Sequence, residues 1–299
     1  MTRPDWIALD WGTSNLRAWA MSGSGTVLDE RGSDAGMGSL TPDAFEPALL
    51  NLASDWIGEG ITAIACGMVG AKQGWVEAAY TPVPAQPLGP RLTPAPTATP
   101  GLKVLIVAGM SQAAPADVMR GEETQIAGFL ALNPGWDGVI CLPGTHTKWA
   151  EVSAGEVVSF QTAMTGDLFA AIAGHTVLRH SVTGEGWDEE AFDAALDETL
   201  SRPERLGARL FGIRAGGLLN GTGPDHARAT LSGLLIGAEL AATRPYWLGR
   251  QIAVIGDRTL SGHYIRALGR QGAPATLADA GRATLAGLTA AWRHWKGIS

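Results

Sequence analysis

Leu9-Asp10-Trp11-Gly12-Thr13-Ser14-Asn15-Leu16-Arg17-Ala18-Trp19 is the stretch whose pattern fixes the fold class. An apolar run, Trp6-Ile7-Ala8-Leu9, leads to an acid at Asp10. A turn of small polar residues follows, and Leu16 to Met21 alternates as a returning strand should. Ser22-Gly23-Ser24-Gly25 is a hairpin signal, and Thr26-Val27-Leu28 predicts a third strand. The same pattern recurs in the second half. Gly138-Val139-Ile140-Cys141-Leu142 runs into Gly144-Thr145-His146-Thr147-Lys148-Trp149-Ala150, which can be laid on Gly12 to Ala18. Gly155-Glu156-Val157 then matches Gly25-Thr26-Val27. A strand–turn–strand unit present once per half predicts two similar lobes.

Working outward, Ile61 to Cys66, Lys103 to Ala108 and Gln251 to Gly256 read as buried strands. Helical spacing predicts helices over Glu122 to Leu132, Phe169 to Leu178, Glu190 to Leu200, Asp257 to Leu268 and Gly281 to Trp295. Ser232 to Leu240 predicts a helix of small residues able to pack closely. Strands followed by helices indicate an α/β architecture. Thr81 to Pro100 carries seven prolines in twenty residues, which blocks both helix and central strand and predicts a long surface loop within the first lobe. Asn133-Pro134-Gly135 marks the lobe boundary. The expected division is residues 1–134 and 135–299, with the final helix placed to pack back on the first lobe.

Composition excludes several classes. With 22 Lys+Arg against 29 Asp+Glu the net charge is −7, and no basic stripe is present for general nucleic-acid binding. Cys66 and Cys141 lie in apolar runs and predict buried free thiols rather than a disulfide scaffold or a zinc site. No apolar stretch reaches the roughly 20 residues that span a bilayer. Met1-Thr2-Arg3-Pro4-Asp5 lacks a signal-peptide pattern. The expectation is a cytoplasmic protein with no membrane or nucleic-acid partner, as a monomer or homodimer.

Chemistry concentrates at the two Gly-Thr turns. Glycine lets backbone N–H groups approach a phosphate, and adjacent hydroxyls add donors. Asp10, ending a buried strand just before the first turn, is placed to hold Mg²⁺ directly or through water. Glu122 and Glu123 open a helix, where they complement its dipole or take a proton from an attacking hydroxyl. His146 and Lys148 flank the second turn as donors for phosphate or carboxylate. Arg17, Arg120 and Lys148 are alternative cations for a substrate carboxylate, and Asp167 is placed to orient substrate hydroxyls. Gly67-Met68-Val69-Gly70, continuing to Gly74-Trp75, predicts a close-packed loop beside a sugar pocket. No P-loop, Gly-x-Ser-x-Gly elbow or His-Glu-x-x-His motif is present.

Asp10-Trp11-Gly12-Thr13-Ser14 resembles the first phosphate motif of the actin/sugar kinase/Hsp70 fold, and Pro143-Gly144-Thr145-His146-Thr147 its second. Val254-Ile255-Gly256-Asp257 is similar to the adenosine motif, with a less glycine-rich turn. Together with Gly67 to Gly70, Met119 to Gln125, Met164-Thr165-Gly166 and Ser232 to Glu239, these motifs resemble the 2-dehydro-3-deoxygalactonokinase family in order across most of the chain. The resemblance implies two ribonuclease H-like lobes with a nucleotide cleft between them, and ATP with Mg²⁺ as cofactors. It also implies phosphorylation of the C6 hydroxyl of 2-dehydro-3-deoxy-D-galactonate. On that resemblance Glu123 is the base, with Glu122 in reserve, and Asp10 organises the metal. Gly12, Thr13, Ser14, Gly144, Thr145, His146, Thr147, Lys148, Gly256 and Asp257 surround the nucleotide. Arg17, Gly70, Trp75, Arg120, Trp149 and Asp167 are the substrate-side candidates. An exopolyphosphatase-type hydrolase, suggested by Gly121-Glu122-Glu123, and a non-catalytic nucleotide-binding module of the same fold are the alternatives.

Overall fold

The computed structural model describes residues 3–58 and 60–298. Met1 and Thr2, where the amino-terminal reading begins, lie outside the described residues. The chain divides into two compact units. Unit 1 comprises Met1–Asp137, Val152–Ser159 and Asp279–Ser299, and unit 2 comprises Gly138–Glu151 and Phe160–Ala278.

In unit 1, β1 (Trp6–Trp11) pairs antiparallel with β2 (Leu16–Met21), which sets Asp10 opposite Arg17. Trp6 to Leu9 have no exposed surface, so both faces of β1 are covered and the strand reads as a continuous apolar run. β3 (Val27–Ser33) completes the meander as an edge strand whose exposed Asp29 and Glu30 discourage further pairing. α1 (Phe45–Ala53) precedes β4 (Ile61–Gly67), which lies parallel to β1.

The proline-rich stretch is less bare than its composition predicts. It contributes to β5 (Tyr80–Pro82) and forms β6 (Thr93–Pro94). β6 is an edge strand against β7 (Leu102–Ile106), where a missing proline N–H costs little. Glu46 of α1 holds the end of the stretch by accepting the amides of Ala98 and Thr99 at 2.8 and 2.7 Å. The hairpin of β8 (Gly109–Ala113) and β9 (Ala116–Met119) leads into α2 (Glu122–Leu132). The six-stranded sheet has the order β3-β2-β1-β4-β7-β6.

Unit 2 repeats the opening. β10 (Gly138–Leu142), β11 (Thr147–Ser153) and β12 (Glu156–Ala163) form the second strand–turn–strand unit, of which Val152–Ser159 is grouped with unit 1. Four helices follow: α3 (Thr165–His175), α4 (Glu189–Ser201), α5 (Leu206–Asn220) and α6 (Pro224–Ala242). After the short α7 (Arg244–Trp247) come β13 (Ile252–Gly256), α8 (Arg258–Arg270) and β14 (Ala275–Asp279). The sheet order is β12-β11-β10-β13-β14, with β13 parallel to β10. The order β3-β2-β1-β4-β7 in unit 1 has the same connectivity, so the sequence echo is also an echo in topology. Gly233 and Gly237 let α6 touch α4: a Cβ at either would lie 2.3 Å from the Phe192 carbonyl oxygen or 2.4 Å from that of Leu196.

The last helix, α9 (Ala280–Lys296), belongs to unit 1 and packs on α2. Two glycines make the contact. A Cβ on Gly128 would lie 1.8 Å from the Ala283 carbonyl, and one on Gly287 1.9 Å from that of Thr124. Trp292 stacks on Trp6 of β1 with ring centroids 5.2 Å apart. Both cysteines are buried and free. Among the described residues no helix is long and apolar enough to cross a membrane.

Candidate active site

The candidate groups of unit 1 gather at the carboxyl ends of the parallel strands β1 and β4, the usual edge for ligands in an α/β sheet. Asp10 is partly buried there. Its Oδ2 accepts from Arg17 Nη2 at 2.5 Å, and the Cys66 thiol lies 3.8 Å from its Oδ1. The following turn closes through the Gly12 amide, which donates to the Asn15 carbonyl at 2.9 Å. Thr13 and Ser14 are exposed. A second segment braces this turn: the amides of Met37 and Gly38 donate to the carbonyls of Gly12 and Thr13 at 3.0 and 2.8 Å. A Cβ on Gly36 would fall 2.2 Å from the Ser14 carbonyl carbon. Sequence reasoning missed this brace, although the spaced glycines of Gly36-Met37-Gly38 were its visible signal.

Gly67 and Gly121 cross at the end of β4 with positive φ of 91° and 106°, conformations open to glycine at little cost. A Cβ on Gly121 would lie 3.3 Å from Gly67 Cα. This crossing brings the start of α2 beside Asp10 and Cys66. Glu123 is fully buried; its Oε2 accepts the Gly121 amide at 2.7 Å and its Oε1 the Thr124 hydroxyl at 3.0 Å. Burial, reinforced by the neighbouring Glu122 charge, pushes its pKa up to about 8 despite those hydrogen bonds. Glu122 is half-buried and accepts the Arg120 amide at 3.0 Å.

Arg120 is 8% exposed. Its Nη2 donates to the Ala78 carbonyl at 2.7 Å, and its guanidinium lies over the Tyr80 ring at 4.3 Å. Among the described residues its buried Nε and Nη1 have no hydrogen-bond partner. Gly70 makes room for this group, since a Cβ there would lie 3.0 Å from Nη1. Trp75 is a core residue, stacked on Phe45 and edge-on to Trp11, so it does not present its ring to a ligand.

In unit 2 the turn after β10 borders a cavity of about 410 Å³. Gly144, Thr145, Gly166, Asp257 and Tyr264 line it together with Trp187, Arg228 and His263. Among the described residues, no atom beyond the chain neighbours lies within 4 Å of where a Gly144 Cβ would stand, so the backbone is open on that side. Gly166, at the start of α3, touches the turn: its Cβ would lie 2.3 Å from the Gly144 carbonyl oxygen. Asp167 adds a backbone bond from its amide to the Thr145 carbonyl at 2.9 Å, and its carboxylate lies 3.5 Å from His146 Nε2. Gly256 ends β13, and Asp257 caps α8 by accepting the amides of Thr259 and Leu260. Trp187 and His263 stack with centroids 3.9 Å apart, and desolvation followed by nearby Arg228 lowers the His263 pKa.

Three predicted residues of β11 point elsewhere. Lys148 is 5% exposed and donates to the Thr162 hydroxyl at 3.0 Å. Thr147 is buried and shares a hydrogen bond with the Tyr264 hydroxyl at 3.0 Å. Trp149 has no exposed surface and donates its indole N–H to Glu239 at 2.8 Å. These positions anchor the strand rather than form a ligand wall, because three consecutive residues of a strand covered on both faces are all enclosed.

Among the described residues no group of three or more His, Cys, Asp or Glu could hold a metal. Asp10 offers one hard oxygen donor at a strand end. That donor set fits Mg²⁺, which needs only one or two protein carboxylates when phosphates and water complete its shell; it does not fit a metal caged entirely by protein.

A family model described as 2-keto-3-deoxy-galactonokinase matches residues 10–291. A relative named for 2-dehydro-3-deoxygalactonokinase from Rhizobium meliloti (strain 1021) is 38% identical over 295 residues, covering 96% of each chain. The 2-dehydro-3-deoxygalactonokinase of Escherichia coli (strain K12) is 35% identical over 95% of this chain and 96% of its own. A crystal structure from Sinorhizobium meliloti, also named for 2-dehydro-3-deoxygalactonokinase, superposes with a TM-score of 0.88 at 37% identity, covering 96% and 98% of the two chains. At the level of fold alone, the activator of 2-hydroxyisocaproyl-CoA dehydratase from Clostridium difficile, solved with ADPNP, matches with a TM-score of 0.50 at 10% identity over 98% and 97%.

Proposed function

Because this chain belongs to the 2-keto-3-deoxy-galactonokinase family, we propose that it transfers the γ-phosphoryl group of ATP to the C6 hydroxyl of 2-dehydro-3-deoxy-D-galactonate. The products are ADP and 2-dehydro-3-deoxy-6-phospho-D-galactonate, and the reaction belongs to galactonate catabolism. The observation that carries the nucleotide half is the unit 2 cavity. It combines the open Gly144 backbone, the Arg228 cation and the flat Trp187–His263 pair, groups that suit phosphate at one end and an aromatic base at the other.

Unit 1 supplies the acceptor-side chemistry in this reading. A new bond forms between the sugar O6 and the γ-phosphorus while the bond to the β-bridging oxygen breaks, and the O6 proton goes to a carboxylate. Glu123 is the proposed acceptor of that proton, since a carboxyl titrating at about 8 has the proton affinity a base needs near neutral pH. It has no exposed surface, so the start of α2 must open for O6 to reach it. Glu122, half-buried beside it, reaches solvent without that step and is the second choice. Asp10 would hold Mg²⁺, which when bound neutralises phosphate charge. Arg120 is the proposed partner of the substrate carboxylate, because it alone among Arg17, Arg120 and Lys148 leaves buried donors unpaired.

An ADP-release assay with a panel of 2-keto-3-deoxy sugar acids tests the reaction. Turnover with the galacto acid and little with its stereoisomers is the expected result. ADP release independent of any sugar acid would point to hydrolysis instead.

A further inference from the structure

Behind the unit 2 cavity lies a buried carboxylate that does not line it. Glu239, on α6, is 6% exposed. Three neutral donors from three different elements converge on it. The Trp149 indole N–H of β11 reaches Oε1 at 2.8 Å, the Tyr264 hydroxyl of α8 reaches Oε2 at 2.8 Å, and the Thr165 hydroxyl at the start of α3 donates to the same oxygen. Tyr264 carries the network to Thr147, at 3.0 Å.

These attachments bracket the Gly144–Thr147 turn. Thr147 and Trp149 fix the strand that leaves it. Thr165 fixes the helix start whose next residue, Gly166, presses on the Gly144 carbonyl. Tyr264 ties in α8, which begins two residues beyond Gly256, and a Gly256 Cβ would lie 3.3 Å from the Pro143 carbonyl oxygen. Thr165 and Tyr264 themselves line the cavity. A carboxylate accepting three bonds in low dielectric holds its donors in one arrangement, and leaving such donors unpaired is costly.

We propose that Glu239 is a positioning residue for phosphoryl transfer: acting through Thr165, Tyr264 and Thr147, it holds the Gly144–Thr147 turn and the start of α3 in the geometry that receives the nucleotide phosphates. The inference rests on the reading of the unit 2 cavity as the nucleotide site.

Steady-state kinetics and nucleotide affinity of Glu239→Ala and Glu239→Gln provide the test, with thermal denaturation run on the same samples. The Gln variant keeps the three contacts, because its carbonyl accepts the Trp149 N–H and its amide donates to hydroxyls that can turn their protons away. Glu239→Ala is expected to raise the KM for ATP at least tenfold and leave the KM for the sugar acid within twofold. Glu239→Gln is expected to restore the ATP KM to within about threefold. Folded Glu239→Ala enzyme with an unchanged ATP KM and a lowered Tm would overturn the inference, since a merely structural residue behaves that way. Should Glu239→Ala fail to fold, Thr165→Val and Tyr264→Phe each remove one donor at nearly constant volume. Raised ATP KM in both supports the inference, and no change in either defeats it. Gly144→Ala separates the two levels. If it binds ATP as the wild type does, the nucleotide reading falls and the Glu239 inference with it. If it loses ATP while the Glu239 variants do not, only the inference falls.

Discussion

The amide of Gly121 donates to the carboxylate of Glu123 at 2.7 Å, two residues further along the chain, so the acid is held by the backbone that turns into its own helix. Its pKa of about 8 against an ordinary 4.5 has a definite sign. Between those values the unfolded chain carries an ionised Glu123 and the folded chain a protonated one, so ionisation favours unfolding as pH rises through this window. Glu123→Gln lacks that penalty. The Tm of the variant minus that of the wild type should therefore grow from about pH 4.5 to about pH 8 and level off above. In the wild type kcat/KM should rise with pH towards an inflection near 8. Glu123→Gln should bind ATP normally and lose at least about a hundredfold in kcat, within the range for a general base. Near-normal turnover in Glu123→Gln with loss in Glu122→Gln would transfer the role to Glu122.

Among the described residues, a methyl group at position 144 meets no atom within 4 Å beyond those of its own chain neighbours. Gly144→Ala should accordingly keep the wild-type circular dichroism and Tm while reducing kcat/KM for ATP by tenfold or more. Unchanged ATP kinetics would show that no phosphate approaches this turn.

Asp10 engages one carboxylate oxygen with Arg17, while the other faces the Cys66 thiol at 3.8 Å. Asp10→Asn should raise the Mg²⁺ concentration that gives half-maximal rate, and chelation should stop the wild type reversibly. An unaltered Mg²⁺ titration in Asp10→Asn would place the metal elsewhere.

Removing the Arg120 side-chain charge tests carboxylate recognition. Arg120→Met should raise the KM for the sugar acid about tenfold or more, the equivalent of ~1.4 kcal/mol, without moving that for ATP. Arg120→Met loses the bond to the Ala78 carbonyl but also removes the penalty of burying a charge with two unpartnered donors, and the two effects oppose each other. Its Tm should shift by less than the roughly 2–4 °C that 1 kcal/mol is worth in a domain of this size. A sugar-acid KM equal to the wild-type value would assign the carboxylate to another cation.

Gly287 meets the Thr124 carbonyl where a Cβ would stand 1.9 Å away. Gly287→Ala must push α9 from α2, and overpacking of this kind costs about 1–3 kcal/mol or more. Because Thr124 adjoins Glu123, the Tm loss should be accompanied by lower kcat in the protein that remains folded. Full activity at reduced Tm would mean that Glu123 does not depend on this contact.

Both Gly-Thr turns and the strands around them were legible in the sequence, because their pattern is local: apolar run, small polar turn, alternating return. The start of α2 was legible for the same reason. α5 was not, since Gly207, Gly212, Gly216 and Gly217 lower helix propensity and Phe211, Leu218 and Leu219 face outward at 65%, 70% and 83% exposure, against the usual amphipathic rule. The Gly36 brace, the Gly128–Gly287 contact and the convergence on Glu239 join residues far apart in the chain, and no periodicity reports them. Trp75 and Trp149 sit beside ligand-like motifs in sequence, yet both are core residues: the loop after β4 folds Trp75 onto Phe45 and Trp11, and Trp149 lies on a strand enclosed on both faces.

The glycine-mediated seating of α9 on α2 also orders events in time. Unit 1 begins with the first strand made, but its sheet stays uncovered on the side that Trp292 seals against Trp6 until residues 280–296 leave the ribosome. All of unit 2 is synthesised in between. A nascent chain can complete unit 2 while unit 1 still exposes apolar surface, and such surface is what chaperones recognise and aggregation exploits.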